Sequence, residues 1–242
     1  MYSINSHHCA LKSNTTDHQL LSLWIAIETL LPPNNNESVI ENFVSSISPF
    51  LGYEYTQKLI EDLRLSIKGL LTEEDYTEFL SRLPMELSET EKIALCVSLK
   101  EYDQLLIDLC RKFGKNSLLP NRIHQLTQKF RKTNDILKTL NDHDKRIIWQ
   151  LKRIYRVRNL ITHKGRPTEY VPRLLENTHF YYHTIINLIS KNYQSDVHSL
   201  NSLEDIFSLI KFEHESHKKF LEAHTNVECD MDNFKNLLLW YH

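Results

Sequence analysis

The stretch DHDKRIIWQLKRIYRVRNLIT, residues 142–162, predicts a long helix that decides how the chain folds. At about 100° per residue, its apolar side chains fall on one wide arc of a helical wheel. That arc contains Ile147, Ile148, Leu151, Ile154, Tyr155, Val157 and Ile161. A helix with one broad apolar arc packs that arc against a core. Gly165 and Pro167 follow the stretch as stop signals.

One charged residue, Arg158, falls near the middle of the apolar arc, at about 20° from Ile147. A guanidinium cannot lose its proton, so burying it requires a partner such as a carboxylate, a facing subunit or a phosphate. The alternative is that the side chain, near the helix end, reaches water. The opposite arc of the same helix carries Lys152, Arg156, Asn159 and His163.

The rest of the chain also has helical periodicity. Its 242 residues include only 4 Gly and 7 Pro, and no stretch alternates for long like a half-buried strand. We therefore predict an all-α helical bundle, with residues 1–16 as a polar tail and residues 17–242 as a single helical domain. The predicted helices lie near 17–31, 37–48, 54–70, 73–81, 88–113, 121–131, 134–140, 142–162, 170–193, 202–224 and 230–240.

The cellular compartment is predicted from the cysteines and from the absence of a secretory signal and of a membrane span. The four cysteines are Cys9, Cys96, Cys110 and Cys229, and none forms a C-x-x-C pair. They are typical of reduced thiols. The N-terminus has no secretory-signal pattern, and no run of about 18 apolar residues is present. We expect a cytoplasmic protein without a membrane partner.

Charge is unevenly distributed although the net charge is only −2. Residues 111–166 carry 16 Lys or Arg and three acids, a local charge of +13, whereas the remainder has 13 basic and 28 acidic residues. Such asymmetry is typical of a surface that faces a polyanion. The alternative is a solvated basic region that pairs with acids elsewhere in the chain.

Two sets of histidines have a spacing that occurs in metal sites. His179 and His183 are one helical turn apart, and His214, His217 and His224 share a later helix. No third and fourth ligand is evident beside either set. The sequence therefore predicts no metal site and no cofactor.

RNLITH, with Arg158, Asn159 and His163, resembles the Arg-polar-x3-His signature of HEPN domains, all-α modules of RNA-cutting toxins and antiviral effectors. LWIAIETLL (23–31) is similar to the first-helix segment of the Apea-like HEPN branch, with Trp24 and Glu28 at its key positions. LLPNRIHQL (118–126) also resembles that branch. The resemblance covers roughly residues 17–224.

The resemblance implies a metal-independent endoribonuclease whose products end in a 2′,3′-cyclic phosphate. It also implies a homodimer or higher oligomer with a composite active site, acting in defence or as a toxin. His163 would transfer the proton and Arg158 would hold the phosphate, with Asn159 in support. Glu28, facing inward on its own helix, would pair with Arg158. RNA would be held by the basic residues Lys152, Arg156, Lys164 and Arg166. A regulatory partner protein is possible but is not identified.

Two departures from that pattern are visible. On an ideal helix Arg158 and His163 lie about 140° apart, so either the helix ends before His163 or residues from two subunits combine. Some HEPN toxins carry, two residues after the His, a Tyr that a nucleotidyltransferase partner modifies. Gly165 occupies that position here, so control by modification of this Tyr is not expected. The rival interpretation is a non-catalytic HEPN module that binds RNA or nucleotide or dimerises a larger assembly.

Overall fold

A computed structural model describes residues 2–33, 38–114, 118–164, 171–194 and 202–240. These residues form twelve α-helices and no β-strand, which confirms the all-α prediction. The helices are α1 Tyr2–Lys12, α2 Thr16–Glu28, α3 Val39–Gly52, α4 Tyr55–Lys68, α5 Glu73–Ser81, α6 Glu89–Ser98, α7 Asp103–Lys112, α8 Leu118–Phe130, α9 Thr133–Lys164, α10 Val171–Gln194, α11 Leu203–Ala223 and α12 Phe234–Leu238.

The chain divides into two compact units, where the sequence predicted one domain over residues 17–242. The first unit comprises residues 1–53 and 143–214, and the second comprises residues 54–142 and 215–242. Each unit has its own cluster of buried apolar side chains. Helices α9 and α11 contribute residues to both units.

The core of the first unit surrounds Trp24 of α2. Its ring stacks on Phe43 of α3, with ring centroids 3.8 Å apart, and both side chains are fully buried. The capping signals in the sequence position both helices. The hydroxyl of Thr15 accepts a hydrogen bond at the start of α2, and Ser38 and Glu41 form a capping box at the start of α3.

The N-terminal segment is helical, so the prediction of a polar tail over residues 1–16 was wrong. Helix α1 packs against α2 with Ser3 and Ala10 buried. The Ser3 hydroxyl donates a 2.7 Å hydrogen bond to the carbonyl oxygen of Ala26. These contacting side chains are small and carry little hydrophobic signal, which is why apolar periodicity did not reveal the helix.

Several helix boundaries also differ from the prediction, and the helix predicted near 230–240 spans only Phe234–Leu238. The segments predicted near 134–140 and 142–162 form one continuous helix, α9, which contains no Gly or Pro to interrupt it. The segment predicted near 88–113 is instead divided at Leu99, whose backbone is extended and whose side chain is buried in the second unit's core. Residues 100–102 then form one 3₁₀ turn before α7.

The second unit is built around α6, in which Ala94, Leu95, Cys96 and Val97 are fully buried. Helices α4, α8 and α12 pack against α6. All four cysteines of the chain are free thiols, and Cys96 and Cys229 are buried. Across the described ranges, no helix is both long and apolar enough to cross a membrane.

Candidate nucleic-acid interface

Helix α9 presents an exposed stripe of basic and aromatic side chains opposite its apolar arc. Ile147, Leu151, Ile154 and Val157 are buried, which confirms the predicted core-facing arc. The exposed stripe consists of Lys145, Trp149, Lys152, Arg156 and His163. At 1.5 Å per residue, this stripe is about 27 Å long and has His163 at its C-terminal end.

Trp149 and Lys145 are the members of this stripe that were not among the predicted site residues, and Trp149 is the more unusual of the two. Its side chain is 61% exposed, and the guanidinium of Arg153 lies 5.4 Å from the ring centroid. Its ring therefore offers an exposed aromatic surface among the cations of the stripe. The signal was present in the sequence, because Trp149 falls about 200° from Ile147, on the polar arc.

Among the described residues, the basic side chains of segment 111–166 are paired with acidic side chains near its start but not along the α9 stripe. Near its start, Lys112 lies 2.7 Å from Asp75 and 2.6 Å from Glu78, and Arg131 pairs with Asp103. Here the alternative prediction, pairing with acids elsewhere in the chain, is confirmed. Such exposed pairs neutralise charge but add little stability.

Further along, three cations of α9 are not neutralised in this way. Lys145, Lys152 and Arg156 form no salt bridge with any residue in the described part of the chain, and all three are exposed. Lys152 nevertheless lies near α3. The Ser38 side chain lowers the pKa of the exposed Glu41 carboxyl by hydrogen bonding, and the charge of Lys152 lowers it further. The α9 stripe therefore carries three exposed positive charges that form no salt bridge with the described residues.

Arg158 is half-buried, and its partner is a neighbour in sequence. Its Nη1 donates a 2.9 Å hydrogen bond to Oδ1 of Asn159. The predicted ion pair with Glu28 was wrong, since neither residue forms a salt bridge within the described ranges. Helices α2 and α9 do pack together, as predicted, but through aromatic rings: Trp24 and Tyr155 have centroids 5.5 Å apart. Glu28 is the last residue of α2 and is half-buried.

Arg158 and His163 are not brought together within one chain. Helix α9 continues to Lys164, so the alternative in which it ends before His163 is contradicted. In a continuous helix the two side chains project about 140° apart. His163 is exposed on the stripe, whereas Arg158 lies toward the apolar arc. Of the other predicted RNA-binding residues, Arg166 and the side chain of Lys164 lie outside the described residues.

No family model, no curated protein and no solved structure matches this chain. The similarity to HEPN domains therefore rests on the quoted residues, namely Trp24, Glu28, residues 118–126 and the motif at Arg158, Asn159 and His163.

Proposed function

We propose that this protein is a metal-independent endoribonuclease of the HEPN type that binds single-stranded RNA along α9. The observation that carries the proposal is the exposed stripe from Lys145 to His163. In it, basic residues and a tryptophan lie along one face of α9, with a histidine at the C-terminal end. Its resemblance to HEPN proteins makes a defence effector or toxin the favoured biological role.

The stripe has the chemistry that single-stranded RNA requires. Lys145, Lys152 and Arg156 supply positive charge for the phosphates, and none of them forms a salt bridge with a described residue. Trp149 offers an exposed ring on which a base stacks, whatever its identity. Arg153, over the same ring, adds a guanidinium that stacks on bases and contacts phosphate. Stacking on unpaired bases favours single strands over duplex RNA.

The cleavage chemistry is assigned to His163 and Arg158. An imidazole can take the proton from a ribose 2′-hydroxyl, or give one to the leaving 5′-oxygen, near neutral pH. A guanidinium stabilises the negative charge that develops on the phosphate. Since the two side chains project from different faces of α9 in one chain, we infer that Arg158 of one protomer acts with His163 of another in a homodimer.

The test is incubation of the purified protein with total RNA in EDTA. Cleavage that leaves 2′,3′-cyclic phosphate and 5′-hydroxyl ends is expected, and His163→Ala should abolish it. His18→Ala, which removes another exposed histidine in the same unit, is the matched control and should cleave normally. Activity that vanishes in EDTA and returns with magnesium would contradict the mechanism.

A second candidate function is a non-catalytic module that binds RNA. The observation that favours it is that Arg158 and His163 project about 140° apart from one continuous helix. On this interpretation the α9 stripe binds RNA and no product forms at any protein concentration. Retention of labelled RNA without cleavage, unchanged in His163→Ala, would support the binder over the enzyme.

A further inference from the structure

Three histidines from distant parts of the sequence meet in the first unit. His7 lies on α1, while His179 and His183 lie one turn apart on α10. The Nε2 atoms of His7 and His179 are 3.3 Å apart, and one ring nitrogen from each of the three side chains lies within 4.8 Å of the others. The sequence lacked a third ligand for His179 and His183, and helix α1 supplies one.

The separation of these nitrogens matches a tetrahedral metal site. Zinc–imidazole bonds of about 2.0–2.1 Å at a tetrahedral angle place two nitrogen ligands about 3.3 Å apart. The Nε2 atoms of His7 and His179 already have this spacing. His183 is exposed and lies on the same face of α10, so a rotation of its side chain can bring the third nitrogen closer.

The cluster is supported by its surroundings. The ring of His7 stacks on Tyr182, with centroids 4.5 Å apart and planes inclined by 14°, which fixes the direction of the imidazole. Ser3, one turn earlier on α1, is buried and bonded to Ala26, so α1 is anchored close to this point. Burial lowers the pKa of His7 and of His179, and neighbouring imidazoles lower both further, which favours the neutral form that binds metal.

We propose that His7, His179 and His183 bind one divalent ion of the zinc class and thereby fasten α1 to α10. An all-imidazole ligand set suits Zn²⁺ and its transition-metal neighbours and disfavours Mg²⁺ and Ca²⁺, which require oxygen ligands. Three protein ligands leave the fourth position for water or another donor. The site lies on α1 and α10 and is independent of the proposed RNA cleavage, which uses residues of α9.

The experiment measures Zn²⁺ binding to the full chain without a polyhistidine tag, after chelation and removal of the chelator. One Zn²⁺ per chain is expected by competition with a chromogenic chelator. His179→Gln and His183→Gln should each weaken binding more than about tenfold, since even the loss of outer contacts to a metal ligand costs 10–100-fold. His18→Gln, which changes an exposed histidine outside the cluster, should bind like the wild type.

A second readout does not depend on the variants being as stable as the wild type. Zn²⁺ should slow amide hydrogen exchange in residues 2–12 of the wild-type protein, and Mg²⁺ should not. The absence of stoichiometric Zn²⁺ in the wild type, or equal affinity in His179→Gln, His183→Gln and His18→Gln, would overturn the proposal. In that case the short distance between His7 and His179 is a hydrogen bond between two neutral rings.

Discussion

Arg158 and Asn159, adjacent in sequence, are joined through their side chains by a 2.9 Å hydrogen bond from Nη1 to Oδ1. The amide of Asn159 thus takes the position that the sequence had assigned to a carboxylate from α2. An amide acceptor directs the guanidinium without neutralising it. Arg158 therefore keeps its full charge for a phosphate, which a salt bridge to Glu28 would have reduced.

Asn159→Ala should lower RNA cleavage by roughly tenfold, because a hydrogen bond to a charged group contributes about 1.5 kcal/mol. Asn159→Asp should retain an acceptor for Arg158 and lose less in kcat, although its charge weakens the phosphate contact. Arg158→Ala should abolish cleavage. These rates are compared on one short labelled RNA. If Asn159→Ala cleaves like the wild type, the hydrogen bond does not position the guanidinium.

A composite site predicts complementation between two inactive variants. Arg158→Ala and His163→Ala, refolded together, should recover roughly a quarter of wild-type activity if mixed two-fold dimers form at random and each has one intact Arg–His pair. Each variant alone should remain inactive. The measurement is cleavage as a function of mixing ratio, with a maximum expected near equal amounts. No recovery, with mixed dimers demonstrated by mass spectrometry, would contradict a site shared in this way.

Replacement of Lys152 and Arg156 by Gln should weaken RNA binding and reduce its dependence on salt. Each phosphate contact on a single strand contributes about 0.7 to the slope of log K against log salt, so the slope should fall by about 1.4. Fluorescence anisotropy of a labelled oligonucleotide over a salt series gives this slope. The matched control replaces two exposed lysines outside the stripe, Lys12 and Lys211, and should change little.

Trp149→Ala should weaken RNA binding by about 1–3 kcal/mol through the loss of base stacking, without altering the salt slope. Folding should be unaffected, because the ring is exposed on the far side of α9 from the core. Trp149→Phe should recover part of the affinity. Quenching of Trp149 fluorescence by RNA is an independent check. A change in salt slope with no change in affinity at low salt would contradict a stacking role.

The first unit should lose stability as the pH falls from about 6.5 to about 4, because of His143. Its Nε2 lies 3.0 Å from the carbonyl oxygen of Leu51, and burial lowers the pKa of its imidazole to about 4. In that window the unfolded chain binds a proton that the folded chain does not. The loss is at most about 3 kcal/mol, and less where water reaches the ring.

Urea unfolding at pH 7 and pH 5 measures this effect, and His143→Gln is the informative variant. Gln can still donate to Leu51 but does not titrate, so its difference in unfolding free energy between the two pH values should be smaller. The carboxylates that also titrate at low pH are common to both proteins. An identical pH dependence would mean that His143 is protonated equally in the folded and unfolded chains.

Local interactions determined what could be predicted from the sequence. The period of Ile147, Leu151, Ile154 and Val157 set the buried arc of α9, because side chains three and four residues apart share a face of any helix. The capping box of α3 is likewise local, because Ser38 and Glu41 are three positions apart. The all-α class followed from such patterns repeated along the chain.

Only the tertiary structure decided the contacts that depend on which helices meet. Arg158 bonds to Asn159 and not to Glu28, and the rings of Trp24 and Tyr155 form a contact between α2 and α9. Burial of Leu99 in the second unit's core accompanies a break that periodicity did not reveal. His7 lies 172 residues from His179 in the chain, and their proximity arises because buried Ser3 and Ala10 hold α1 on α2, against which α10 also packs.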